Sequence, residues 1–162
     1  MGTDDAELER IFRSEYARLV QVVSIVLHDG DAATDVVQDA FVQAGRHWPR
    51  ISGYDDPTQW LRRVAVNRAL SVRRGRRRQD AALHRLASPV AATDREPSLD
   101  FDAALARLPR GQRAVVALFY VADLPVHEIA SVLEIAPGTV KSQLHDARRA
   151  LAPQLEVHDG HR

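Results

Sequence analysis

The residues from Leu124 to Leu151 contain two apolar periodicities, each preceded by a proline, and this arrangement restricts the fold more than any other part of the sequence. Pro125 and Pro137 suit the first position of a helix, where the N–H that proline lacks would have had no partner. The apolar positions recur at helical spacing, first at Ile129, Ala130 and Leu133 and then at Val140, Leu144, Ala147 and Leu151. The pattern predicts two helices joined by a short turn, which is the plan of a helix-turn-helix.

The same periodicity is expected from an ordinary αα-hairpin in a helical bundle, so two interpretations remain open at this point. Glu134 stands in the turn, at a place that usually favours glycine. From Leu124 to the end the sequence has four basic and five acidic residues, which is little positive charge for a protein that binds DNA. Such a helix-turn-helix would need support from the rest of the chain.

Helical periodicity also covers most of the remaining sequence. The predicted helices run over residues 5–27, 31–47, 58–78, 98–108 and 112–121. Asp31 and Thr58 are expected to cap the second and third helices, and Pro153 is expected to end the last helix of the chain. No segment shows the strict alternation of a strand, so the sequence predicts an all-α fold.

A loss of periodicity separates two halves of the chain. The segment before Ser98 gathers alanine, serine and threonine and contains Pro89 and Pro97, a composition typical of a linker. We therefore predict two small helical domains joined by a flexible linker. The predicted boundaries are residues 1–79 for the first domain, 80–97 for the linker, 98–155 for the second domain and 156–162 for a frayed tail.

The net charge is zero, but the charge is unevenly distributed. Residues 1–50 contain five arginines and nine acidic residues, whereas residues 51–88 contain nine arginines and three acidic residues. An acidic block followed by a basic block suggests two different partners. A run of charge is most often only a solvated helix face, but here it follows a loop that contains Tyr54 and includes Asn67 and Ser71, which favours contact with nucleic acid.

Several classes of function are excluded by what the sequence lacks. It has no cysteine, so disulfides and cysteine-ligated zinc are excluded, and no run of eighteen apolar residues that could span a membrane. His127 and Glu128 resemble the start of a zinc-protease motif, but Ser131 stands where the second histidine is required. We expect no catalytic site, no metal and no cofactor, and we expect a cytoplasmic protein.

Two blocks of sequence resemble an extracytoplasmic-function (ECF) RNA polymerase sigma factor. Residues 31–44, DAATDVVQDAFVQA, are similar to region 2.2 of that family, and residues 57–78 are similar to its regions 2.3 and 2.4. Residues 108–151 are similar to region 4, most specifically where GTVKS is followed by L-H-x-A-R. The resemblance implies a protein that binds core RNA polymerase and directs transcription from specific promoters.

The resemblance also implies which residues carry each task. Those matching the part that docks on the polymerase β′ clamp are Asp35, Gln38, Asp39 and Phe41. Those matching the part that melts and reads the minus-ten element are Tyr54, Arg63, Asn67, Arg68, Ser71 and Arg74. Those matching the helix that reads the minus-thirty-five duplex are Gly138, Thr139, Lys141, Ser142, Gln143, His145, Arg148 and Arg149. The polymerase β flap, promoter DNA and an anti-sigma factor are the further partners that the family implies.

This chain departs from the family at four positions near the helix-turn-helix. Ala136 stands where a serine cap is common, Glu134 where glycine is common, and Gln143 and Asp146 where arginine is common. These changes predict a weaker or altered minus-thirty-five contact. A free-standing helix-turn-helix regulator that binds operator DNA is the main alternative, although the acidic and basic helices of the first half argue against it. A pure interaction protein that has lost DNA reading is a third possibility.

Overall fold

The computed structural model describes residues 2–83 and 98–159, with side chains described at residues 4–72 and 101–154. All regular structure in these ranges is helical. The helices are α1 (Thr3–Leu27), α2 (Gly30–Arg46), α3 (Trp48–Ile51), α4 (Pro57–Leu83), α5 (Ser98–Arg107), α6 (Arg110–Val116), α7 (Val126–Leu133) and α8 (Pro137–Asp159). A π-helical segment, Ala117–Val121, continues α6. The all-α prediction is confirmed, and none of the described helices is long and apolar enough to cross a membrane.

The predicted caps of α2 and α4 are both wrong by about two residues. Asp29, rather than Asp31, caps α2, because its Oδ1 accepts a hydrogen bond from the Ala32 N–H at 3.0 Å. Asp56, rather than Thr58, accepts from the Gln59 N–H at the start of α4, also at 3.0 Å. In each case an aspartate just upstream satisfies one of the free N–H groups of the first turn, and the helix begins one residue earlier than predicted.

The expected stop at Pro153 is also wrong, since α8 continues to Asp159. A proline inside a helix removes one hydrogen bond, to the carbonyl four residues before it. That carbonyl belongs to Arg149, and both Arg149 and Pro153 are exposed, so water can replace the lost bond.

The first half of the chain packs α1, α2 and α4 around an apolar centre. Its most buried side chains include Leu19, Val22, Val23, Val37, Ala40, Leu61 and Val66. The second half packs α5 and α6 against α8, and α7 against α8. The predicted inward face of α8 is confirmed, because Val140, Leu144, Ala147 and Leu151 are all buried.

The two halves share one continuous core, which the sequence did not predict. Helix α1 packs against α6 and the π-helical segment, and α4 packs against α7. Arg113 of α6 is completely buried at this junction. Its guanidinium donates to the Val26 carbonyl at the end of α1 (3.4 Å) and to the Ala106 (2.5 Å) and Leu108 (3.0 Å) carbonyls at the end of α5. One cation therefore serves the C-terminal ends of two helices from different halves of the chain.

Candidate nucleic-acid and partner interfaces

Helices α7 and α8 form the helix-turn-helix that the sequence predicted. Helix α7 ends at Leu133, the next residue, Glu134, has a left-handed backbone (φ 55°, ψ 45°), and α8 begins at Pro137 as expected. The first turns of α8 present the predicted polar residues to solvent: Gly138, Thr139, Lys141 and Ser142. The fold therefore leaves the N-terminal part of α8 free to enter a groove of DNA.

The later predicted residues of α8 have different surroundings. His145 and Arg149 are exposed, but the half-buried Gln143 lies against α6, where a Cβ on Gly111 would come within 3.0 Å of its Nε2 atom. Arg148 donates to the Tyr120 hydroxyl at 2.7 Å, and its guanidinium lies 5.3 Å from the ring centre of Phe119. Gln143 therefore packs against α6, and Arg148 binds the π-helical segment. The residues at the start of α8 instead face solvent.

The outer face of α4 carries the residues predicted to contact the minus-ten element. Asn67 and Ser71 are exposed one turn apart, and the Ser71 hydroxyl donates back to the Asn67 carbonyl at 3.0 Å. Arg63 and Arg68 are bound to carboxylates, Arg63 to Glu134 at 3.0 Å and Arg68 to Asp39 at 2.9 Å. The side chain of Arg74 lies outside the described residues.

Tyr54 lies at the edge of a cavity of about 270 Å³, between α2, α3 and the start of α4. The cavity is lined by Gln43, His47, Arg50, Ile51, Tyr54 and Trp60. It therefore combines two aromatic rings, an arginine and an amide beside the arginine-rich face of α4. These are the groups that stack on an unpaired base and bind its polar edge.

The predicted polymerase-binding residues lie on α2. Asp35, Gln38 and Asp39 are exposed, whereas Phe41 is only 8% exposed. Arg68 of α4 donates a hydrogen bond to the Asp39 carboxylate at 2.9 Å, so Asp39 already has a basic partner within the chain. A contact from a different helix cannot be read from the spacing within α2.

The sequence did not identify an exposed aromatic group beside these residues. The ring of Phe12, on α1, is 41% exposed. It stacks on Tyr16 (ring centres 4.7 Å apart) and meets the edge of Phe41 at 4.9 Å. Val42, 52% exposed, lies on the same pair of helices. The aromatic spacing of Phe12 and Tyr16, four residues apart, was the available signal.

A partly buried ion pair supports the α4 face from behind. The Arg62 guanidinium donates through Nε and Nη2 to both carboxylate oxygens of Glu15 on α1, at 3.1 and 3.0 Å. Only 13% of the Arg62 side chain and 11% of the Glu15 side chain are exposed. Within the described residues, no group of three histidine or acidic side chains could hold a metal ion.

Comparison with protein families finds matches over both halves of the chain. The model for sigma-70 region 2 matches residues 11–79, and the model for sigma-70, region 4 matches residues 98–151. The ECF RNA polymerase sigma factor SigL of Mycobacterium tuberculosis is 34% identical over 162 residues, covering 94% of this chain and 91% of SigL. The RNA polymerase sigma-H factor of Pseudomonas aeruginosa is 30% identical over 156 residues, covering 86% of this chain and 81% of that protein.

Two solved structures have a similar fold. The sigma factor RpoE of Bartonella quintana, in complex with the anti-sigma factor NepR, gives a TM-score of 0.72 at 24% identity over 94% of this chain and 96% of the other. CnrH, in complex with the cytosolic domain of CnrY, gives a TM-score of 0.68 at 23% identity over 94% and 90% of the two chains. Both likenesses span both halves of this chain.

Proposed function

The chain belongs to the sigma-70 family of RNA polymerase sigma factors, in its extracytoplasmic-function branch, and on this premise we propose how its residues direct transcription from specific promoters. As a sigma factor it binds core RNA polymerase and gives it promoter specificity. It acts as a specificity subunit without a catalytic site of its own, in the cytoplasm where promoters are. A free-standing regulator would have no need of the region 2 half.

The observation that carries the residue assignment is the exposed row of Asn67 and Ser71 on α4 beside the aromatic cavity at Tyr54. In our proposal a base of the minus-ten element leaves the stack and enters this cavity, between Tyr54 and Trp60. Unstacking a base costs a few kcal/mol, and stacking on an aromatic ring returns about 1–3 kcal/mol. Asn67 reads a base edge, because an amide offers both a donor and an acceptor.

The minus-thirty-five element is assigned to the start of α8. Thr139, Lys141 and Ser142 come within reach of base edges and phosphates when this end of the helix enters the major groove. Lys141 is the only lysine of the chain, so it supplies the positive charge at this end of the helix. Because Gln143 and Arg148 face other parts of the protein, we propose a smaller contact surface than the eight predicted residues would make.

The acidic surface of α2 is assigned to the polymerase β′ clamp. Asp35 is the residue we expect to matter most, since Asp39 already neutralises Arg68. The exposed ring of Phe12 extends this surface with an apolar contact. An anti-sigma factor is proposed as a further partner, because one solved structure with this fold is such a complex.

Promoter-specific run-off transcription with purified core RNA polymerase tests the function directly. Asp35→Arg should abolish co-elution with core enzyme on gel filtration and remove the run-off product, while the circular dichroism of the variant stays unchanged. Asp31→Arg is the matched control, because Asp31 is exposed in the first turn of the same helix. Normal co-elution of the Asp35 variant would overturn the docking assignment. A wild-type chain that supports no run-off transcription would overturn the function.

A further inference from the structure

One ion pair in the first half of the chain joins two surfaces that are assigned to different partners. Asp39 lies on α2, one turn after Asp35 and on the same exposed side of that helix. Arg68 lies on α4, directly after Asn67. The Arg68 Nη2 atom donates a hydrogen bond to the Asp39 Oδ2 atom at 2.9 Å. A residue on the surface assigned to polymerase is therefore bound to a residue on the surface assigned to DNA.

Both side chains of this pair remain accessible to other partners. The Arg68 side chain is 38% exposed and the Asp39 side chain is 57% exposed. Their hydrogen bond joins one guanidinium nitrogen to one carboxylate oxygen, without the second parallel bond of a bidentate pair. A phosphate can therefore reach Arg68, and a cationic group can reach Asp39, but each of them competes with the existing bond.

Arg68 is placed to bind the DNA backbone beside the exposed row of Asn67 and Ser71. Each residue of a helix turns the chain by about 100°, so Arg68 lies about 60° around α4 from Ser71 and about 100° from Asn67. A guanidinium that flanks a base-reading row suits phosphate, which positions DNA without carrying sequence information. Among the side chains that the structure describes, Asp39 is the only carboxylate bound to Arg68. It is therefore the group with which a phosphate must compete.

We propose that Asp39 and Arg68 couple polymerase docking to minus-ten binding, because each partner releases the residue that the other partner uses. A clamp cation that binds Asp39 frees Arg68 for a phosphate, and a phosphate that binds Arg68 frees Asp39 for the clamp. Such coupling is reciprocal, so both affinities change by the same factor. This inference rests on the proposed function. An exposed ion pair contributes little, so the factor should be about two- to fivefold.

Binding of a fluorescent oligothymidine to the full chain, measured by anisotropy, tests the DNA side of the pair. A homopolymer reports contact with phosphates rather than the reading of a sequence. Asp39→Asn should raise the affinity for this single strand about two- to fivefold, because Arg68 is then free. In an Arg68→Gln background the same substitution should change the affinity by less than about 1.5-fold.

Asp31→Asn is the matched control for this measurement. It removes the same charge at an exposed position of α2, eight residues before Asp39 and so about 12 Å away along the helix. That distance exceeds the screening length of about 10 Å at 0.1 M salt, so its effect should be smaller. The control of Arg68 by Asp39 is refuted if Asp39→Asn gives no gain, if the gain persists without Arg68, or if Asp31→Asn reproduces it.

Binding to core RNA polymerase, with and without DNA, tests the coupling itself. The DNA is a single-stranded oligonucleotide with the minus-ten sequence of the promoter used for run-off transcription. It should raise the affinity of the wild-type chain for core enzyme about two- to fivefold more than it does for Asp39→Asn or Arg68→Gln. The double variant should lose no more of this enhancement than either single variant.

An equal enhancement by DNA in the wild-type chain and in Asp39→Asn would overturn the coupling. A double variant that loses the sum of both single effects would also overturn it, because the two residues would then act independently. A wild-type chain that supports no run-off transcription would instead refute the proposed function. In that case the oligothymidine measurement would still decide whether Asp39 controls the phosphate contact of Arg68.

Discussion

Replacing Arg113 tests how the junction between the two halves is stabilised. The wild-type guanidinium donates to the carbonyls of Val26 and Leu108, both buried, and to the partly buried carbonyl of Ala106. Arg113→Met keeps much of the side-chain volume and removes these donors. A buried carbonyl left without a donor costs about 1–3 kcal/mol, so the two buried carbonyls together predict a loss of about 3 kcal/mol in the free energy of unfolding.

Arg113→Ala should be worse than Arg113→Met, because it also leaves a cavity. Three buried methylenes at about 0.8 kcal/mol each add roughly 2 kcal/mol to the loss. Urea unfolding followed by circular dichroism at 222 nm measures both variants. With a dependence on urea of about 2 kcal/mol per molar, Arg113→Met should lower the midpoint by about 1.5 M.

Arg107→Met provides the matched control for this experiment, since Arg107 is exposed on α5. Its effect should stay within about 0.5 kcal/mol. An Arg113→Met variant that loses less than about 1 kcal/mol would refute the reasoning, because the carbonyls at the two helix ends would then be satisfied without Arg113.

Three further predictions follow from the same structure. Glu15→Gln should lower the free energy of unfolding by about 2 kcal/mol in urea, because it removes the charge that faces the partly buried Arg62; a loss under about 0.5 kcal/mol would contradict this. Asn67→Ala should change which minus-ten sequences are used in run-off transcription from a promoter library, and an identical preference would argue against base reading. Lys141→Glu should weaken binding of the minus-thirty-five duplex to the holoenzyme about tenfold. Arg149→Ala should weaken the binding of all duplexes alike, and the loss should be smaller at high salt. Equal losses for every duplex sequence in both variants would contradict base reading by α8.

Features set by neighbouring residues could be predicted from the sequence. The start of α8 at Pro137 follows from the fixed φ of proline, and its buried face follows from a spacing of three and four residues. The capping residues were harder to predict from the sequence. Asp29 and Asp31 both precede the apolar positions of α2, and only one of them can be the N-cap. Local pattern limits a helix end to within a few residues.

Features that join distant parts of the chain could not be predicted. Arg68 was expected to bind DNA and Asp39 to bind polymerase. The sequence pattern of each helix, taken alone, does not indicate that these two side chains form an ion pair. Glu134 was recognised only as a departure from glycine, and its partner Arg63 lies in the other half of the chain. The burial of Arg113 was also not predicted from the sequence. Charged residues in helices are mostly exposed, so only the tertiary contacts show that this one is buried.

The π-helical segment Ala117–Val121 sets the direction in which the helix-turn-helix faces. A π-helical turn holds about one residue more than an α-helical turn. Each residue of an α-helix rotates the chain by about 100°, so that extra residue changes the heading of everything that follows α6. Tyr120, 56% exposed, lies in this segment, and its hydroxyl accepts a hydrogen bond from Arg148 of α8, the helix proposed to read DNA. The direction of that helix therefore depends on how many residues precede it, and one residue gained or lost in this segment would turn α8 without altering any residue of α8 itself.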